Sequence, residues 1–290
     1  MTEHIVLYGK GGVGTSTLTS NVSAALVEAG FRVLLIGCGP KGDSCSILNG
    51  GIPLPTVCNQ LEKNGSITFD SVIRRGFKDI YCIELGRSEV EQGATDASQA
   101  LDLLLKHDLI SALFPDLVLY DISGDHACGV IKALSEKINL HRIFAVTTSD
   151  FNSLKAVNSI MEQVKRLADN NVLLPFGGLL PNGIANSFEE SFIADFAKRT
   201  GTHILGKIPR SLIVRQCELY GKTVIEASPL SNQAYFYRRL SNHIVDESRS
   251  LTVRQPPKAL SQEKLSKWAL EWADRLFALE NGLVTDGASI

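Results

Sequence analysis

The chain has 290 residues, with 29 Lys+Arg against 31 Asp+Glu and a formal net charge of −2. Hydrophobic residues make up 44% and charged residues 21%, which excludes a disordered chain, a collagen and a coiled coil. The absence of a basic excess or basic block argues against nucleic acid as a partner.

The first residues run directly into a strand pattern, without the basic and apolar regions of a secretory signal. No apolar run reaches the ~20 residues of a membrane span. A cytoplasmic setting with no membrane partner is therefore expected. Six cysteines (Cys38, Cys45, Cys58, Cys82, Cys128 and Cys217) are scattered, with no CxxC pair, and read as mostly reduced thiols.

In chain order, the apolar run Ile5-Val6-Leu7-Tyr8 predicts a strand, followed by a Gly-rich turn and a helix over about 16–29. Gly30 ends that helix, and Arg32-Val33-Leu34-Leu35-Ile36 begins the next strand. Further strands are expected over 80–84, 117–121, 142–146 and 176–180. Strands this apolar, alternating with helical segments, imply a mostly parallel α/β sheet with helices on both faces and right-handed crossovers. The stretch 247–259, with Pro256-Pro257, reads as a linker. After it, Leu260, Leu265, Trp268, Ala269, Trp272, Leu276 and Phe277 share one face of a tail helix. The expected organisation is one domain over 1–246, the linker, and a tail over 260–290.

The turn Gly9-Lys10-Gly11-Gly12-Val13-Gly14-Thr15-Ser16-Thr17 lies between the first strand and helix, where a phosphate loop belongs. Small residues let successive backbone N–H groups converge, and the helix start adds partial positive charge. The general pattern is G-x-x-x-x-G-K-[ST]. Residues 9–16 fit it except that Thr15 stands where Lys is required.

With Lys10, this loop resembles the deviant phosphate-loop dimers, which include division-site and arsenical ATPases. The closer resemblance is to the nitrogenase iron protein and the L subunit of dark-operative protochlorophyllide reductase. It is carried by Tyr8 through Gly14, by Gly37-Cys38-Gly39-Pro40-Lys41-Gly42-Asp43-Ser44, by Tyr120-Asp121-Ile122-Ser123-Gly124-Asp125-His126-Ala127-Cys128-Gly129, by Leu180-Pro181-Asn182, and by Pro209-Arg210 through Glu226. These segments keep the family's order and spacing over about 4–245. The resemblance implies a phosphate-loop NTPase fold, a symmetric homodimer binding one Mg-ATP per subunit, and one 4Fe–4S cluster held by two cysteines from each chain.

Carried over residue by residue, the resemblance makes Gly11, Gly12, Val13, Gly14, Thr15, Ser16 and Thr17 the phosphate cradle. Ser16 and Asp121 would serve Mg²⁺, and Lys10 would reach across the dimer to neutralise charge in transfer. Asp43 falls on the first switch loop, Asp125 on the second, and Asn182, Pro209 and Arg210 beside the adenine. Cys128 keeps one cluster-ligand position.

Three departures follow. Thr15 lacks the ammonium that spans the phosphates, a loss of ~2–3 kcal/mol or roughly 30- to 150-fold in affinity. Gly39 replaces the switch carboxylate expected before Pro40. Counting forward from Glu84-Leu85-Gly86 puts the second cluster cysteine at Ala94, and the Arg that would dock a partner at Ala97. A cubane needs four anionic ligands, and a dimer with Cys128 alone supplies two. The expectation is therefore a degenerate relative that binds Mg-ATP or ADP weakly, lacks the shared cluster, and acts as a binding, assembly or regulatory partner of a nitrogenase-like system. The alternatives are an ATP-dependent reductase with replaced ligands and a division-site type of ATPase switch.

Overall fold

The computed structural model describes residues 2–87, 97–124, 127–169, 174–250 and 256–282. The elements are β1 (Glu3–Gly9), α1 (Thr15–Glu28), β2 (Val33–Gly37), α2 (Val57–Asn64), α3 (Phe69–Val72), β3 (Arg74–Arg75), β4 (Tyr81–Glu84), α4 (Ala97–Lys106) and α5 (Leu109–Ala112). They continue with β5 (Leu117–Ser123), α6 (Ala127–Lys137), β6 (Leu140–Thr147), α7 (Phe151–Asp169), β7 (Phe176–Ile184), α8 (Ser187–Thr200) and β8 (Ile208–Pro209). The last helices are α9 (Leu212–Leu219), α10 (Val224–Ala227), α11 (Asn232–Arg249) and α12 (Gln262–Glu280).

The strands lie in the order β3-β4-β2-β5-β1-β6-β7-β8. All pairings are parallel except the short edge pair of β3 with β4. Every residue of β2 is buried, as is most of β1 and β5, because helices cover both faces. Alternate residues serve opposite layers. Val6 and Tyr8 join a core beneath α4, α6, α7, α8 and α12, whereas Ile5 and Leu7 join one beneath α1, α10 and α11. The mostly parallel α/β sheet read from the apolar runs is the observed fold, with β1 in the middle of the sheet.

Helix α11 runs to Arg249, so the segment expected as linker begins inside it; residues 251–255 lie outside the described residues. Lys258 N–H donates to the Thr200 carbonyl (2.8 Å), and Leu260 exchanges two hydrogen bonds with the Asn158 side chain. Helix α12 starts at a Ser261 cap. Its Trp268 stacks on Phe192 (4.7 Å between centroids), and Trp272 meets Phe188 and Phe192 edge-on. Both indole Nε1 atoms donate to Asp195 Oδ2, each at 2.9 Å. Among the described residues no helix is long and apolar enough to cross a membrane.

Candidate functional site

The C-terminal ends of β1, β2, β4 and β5 converge, as open parallel sheets require of a ligand crevice. In register, Gly37 lies between Glu84 on one neighbouring strand and Asp121 on the other, and Leu7 pairs with Asp121. The 9–16 loop leaves β1 beside them. Gly12 and Gly14 have left-handed φ of +90° and +83°. Gly14 caps α1 with no side-chain hydrogen bond and no acid in the first turn, so the helix start keeps its partial positive charge.

The loop residues divide by burial. Gly11 and Gly12 are exposed, and Lys10, Gly14, Ser16 and Thr17 are half-buried. Val13 and Thr15 are buried. The Thr15 side chain lies beneath the loop, where its Oγ1 sits 2.1 Å from the place a Cβ on Gly9 would occupy. That hydroxyl is buried with no hydrogen-bond partner. Thr17 Oγ1 donates to Glu218 Oε1 on α9.

Asp121 is fully buried, and neither carboxylate oxygen has a hydrogen-bond partner. Burial pushes its pKa up to about 6; the nearby Ser16 and Ser44 hydroxyls oppose the rise, although neither completes a hydrogen bond in this geometry, and the Asp43 charge adds to it. Glu84 is pushed further, to about 8, chiefly by burial; the amide of Cys45 works against the shift, and the charges of Asp121 and Asp43 add to it. Asp43 itself is exposed on the loop after β2. A Cβ built on Gly39 would lie 3.4 Å from Ser123 Oγ, so space for the missing switch carboxylate remains at its root.

Asn182, Pro209 and Arg210 line the cleft that opens from the loop, about 300 Å³ in volume, together with Thr148, Val214, Arg215, Glu218 and Tyr237. Asn182 Nδ2 donates to the Val13 carbonyl at 2.8 Å; its amide braces the loop. Arg210 is anchored through its backbone N–H to the Ile184 carbonyl (2.9 Å).

The structure thus gathers residues 10–17, Asp43, Asp121, Asn182, Pro209 and Arg210 at one end of the sheet. Asp125 and the Ala94 position lie outside the described residues. Cys128 falls in the first turn of α6, and its side chain likewise lies outside what is described. Sequence reading passed over Glu84, Thr148, Arg215, Glu218 and Tyr237. Glu84 had a local signal, an acid closing an apolar run; Asp121 closes a similar run and is assigned through the family resemblance. The others are brought in by the loop after β6 and by α9 and α11, and nothing local announces them. Among the described residues no group of three or more His, Cys, Asp or Glu is placed to hold a metal; Mg²⁺, which keeps several waters, needs fewer protein ligands.

A parallel sheet with this loop at its central strand defines the class: an α/β protein of the P-loop NTPase fold. The septum site-determining protein MinD from Pyrococcus horikoshii, solved in complex with Mg-ADP, superposes with a TM-score of 0.63 at 19% identity, over 84% of this chain and 96% of that one. The family described as "4Fe-4S iron sulfur cluster binding proteins, NifH/frxC family" matches residues 3–273. Nitrogenase iron protein 2 of Paenibacillus durus is 36% identical over 289 residues, covering 99% of this chain and 97% of the relative. The nitrogenase iron protein of Methanospirillum hungatei is 36% identical over 270 residues, covering 92% and 95%. The chain belongs to the NifH/frxC family.

Proposed function

We propose that this chain is a nucleotide-binding member of the family that has lost the shared cluster. It works as a homodimeric binding, assembly or regulatory partner of a nitrogenase-like system in the cytoplasm. The observation that carries this reading is the contrast at the loop. Asp121 keeps two unpartnered, buried oxygens near Ser16, while the Thr15 hydroxyl stands buried and unpartnered at the lysine position.

The donor set fits Mg-ADP or Mg-ATP. A buried carboxylate with open oxygens and a nearby hydroxyl suit a hard cation that retains its waters. The uncapped start of α1 suits phosphate, and the cleft past Asn182 suits a base. Bound Mg²⁺ would neutralise phosphate charge. Ser16 and Asp121 would hold it, residues 11–16 would orient the phosphates, and Lys10 would add positive charge across the dimer. The losses at Thr15 and Gly39 make binding weak and turnover slow.

The donor set does not fit a 4Fe–4S cubane. Ala94 has no thiol, and Cys38, Cys45, Cys58, Cys82 and Cys217 are all buried in the cores, so none is offered to a shared surface. Electron transfer through such a cluster is therefore no part of the proposed role. A second reading, an ATP-dependent reductase with a replaced ligand, is favoured by the names of the relatives, which are iron proteins.

Anaerobic purification with iron analysis, followed by calorimetry with Mg-ADP, separates the two. The expected outcome is a colourless protein that binds ADP more tightly with Mg²⁺ than without it. A brown preparation with about four irons per dimer would establish the second reading, and no Mg-ADP binding would remove the first.

A further inference from the structure

Glu84 is the buried ionisable group that the Mg-nucleotide reading leaves without a task. It closes β4, is wholly inaccessible, and pairs in register with Gly37. Its Oε1 accepts the Cys45 N–H at 2.6 Å, and its Oε2 has no partner. The carboxylate reaches across Gly37, the residue that separates it from Asp121. A Cβ on Gly37 would sit 2.0 Å from Glu84 Oε2 and 2.7 Å from the Ser44 Cβ, so the glycine makes the notch that lets the side chain cross.

The contacts around it converge on one loop. Cys45 directly follows Asp43, whose charge raises the Asp121 pKa, and Ser44, whose hydroxyl opposes that rise. The Gly42 Cβ position lies 3.8 Å from the Glu84 Cβ and 2.4 Å from Thr56 Cγ2, and Thr56 pairs with Glu84 in an isolated parallel bridge. The Cys45 thiol is buried against the carbonyls of Leu35 and Ile83. Fixing the Cys45 amide therefore fixes where Asp43 and Ser44 stand relative to Asp121.

We propose that Glu84 is a positioning residue for the Mg-nucleotide site, clamping the 38–45 loop through the Cys45 amide so that Asp43 and Ser44 face Asp121. This rests on the Mg-nucleotide reading of the site. Glu84 touches no phosphate or metal in this role; it acts through the backbone of the loop, as carboxylates outside a metal's ligand set commonly do.

The test compares wild type, Glu84→Ala and Glu84→Gln by Mg-ADP calorimetry, with and without Mg²⁺, and by amide hydrogen exchange. Glu84→Ala should weaken Mg-ADP binding roughly 10- to 100-fold while leaving Mg-free ADP affinity within about twofold, well under a tenfold (1.4 kcal/mol) effect. Exchange should quicken at amides 43–46 and not across the sheet. Glu84→Gln should stay near wild type, because its carbonyl oxygen accepts the same N–H. If Glu84→Ala does not fold, Glu84→Asp serves, since one methylene of retreat breaks a 2.6 Å contact. Equal losses with and without Mg²⁺, a Gln variant as impaired as the Ala variant, or unchanged exchange at 43–46 each overturn the proposal. Wild type that binds no Mg-ADP overturns the functional reading and this one together, whereas wild-type binding with an unmoved Ala affinity overturns only this one.

Discussion

Replacing Thr15 by Lys restores the ammonium that the phosphate-loop pattern specifies. The residue 15 side chain starts beneath the loop, against Gly9. A lysine stem must therefore leave that pocket and carry its charge to the side where Gly11 and Gly12 are exposed. Two effects work in the same direction. Removing the buried, unpartnered Thr15 hydroxyl relieves a desolvation cost of about 1–3 kcal/mol in the fold. A charge-assisted contact to phosphate then adds about 1.5–3 kcal/mol to binding, or roughly 10- to 150-fold. Calorimetric titration of ADP and ATP at fixed Mg²⁺ measures the second effect, and a thermal melt of the free protein reads the first. Thr15→Met is the control, with a stem of similar reach and no charge. The reasoning fails if Lys and Met variants bind alike, or if neither departs from wild type; the loop would then not be a phosphate site.

Three further outcomes follow from the packing. Asp195→Ala should leave two buried indole N–H groups unpaired and lower stability by about 2–4 kcal/mol; the chain has only two tryptophans, so a red shift on excitation of the indoles reports this site alone, and an unmoved spectrum refutes the latch. Gly37→Ala should overpack the notch beside Glu84 and cost about 1–3 kcal/mol in urea melts, whereas Gly39→Ala, with its nearest atom 3.4 Å away, should stay within about 0.5 kcal/mol; equal effects contradict the geometry. Burial first, and the neighbouring His141 second, lower the His4 pKa to about 4, so as pH falls from 6.5 the unfolded chain takes a proton that the folded chain refuses, and the His4 contribution to stability declines between pH 6.5 and 4, while the raised pKa values of the buried Asp121 and Glu84 act in the opposite direction. Measured against His4→Gln, the wild-type urea midpoint should fall between pH 6.5 and 4, and a difference between the two proteins that does not change with pH rules the histidine effect out.

Much of the fold was legible because parallel strands buried on both faces are written as unbroken apolar runs. The runs at 5–8, 32–36, 117–121, 142–146 and 176–180 each locate a strand. The candidate loop was legible because its chemistry is local: a turn, a helix start and small residues in one short stretch. Asp121 was legible through the family resemblance, whose matching motif places an acid at the end of this apolar run. Glu84 also ends an apolar run, but no motif marks it. Its meaning emerges only once β4 and β5 are seen to flank Gly37, since strand order is not encoded in any one segment. The same holds for Thr17 with Glu218, residues 201 positions apart that α1 and α9 bring into contact.

Sequence alone determined the layering of the sheet, the existence of the loop and the replacement of Lys by Thr at position 15, because each depends on residue type and near-neighbour spacing. Only the tertiary structure decided that the Thr15 hydroxyl is stranded beneath the loop, that Asn182 braces Val13, that Glu84 reaches over Gly37 to the Cys45 amide, and that the tail helix is locked onto Asp195. Those contacts join segments far apart in the chain, and their energies depend on burial, which no local pattern carries.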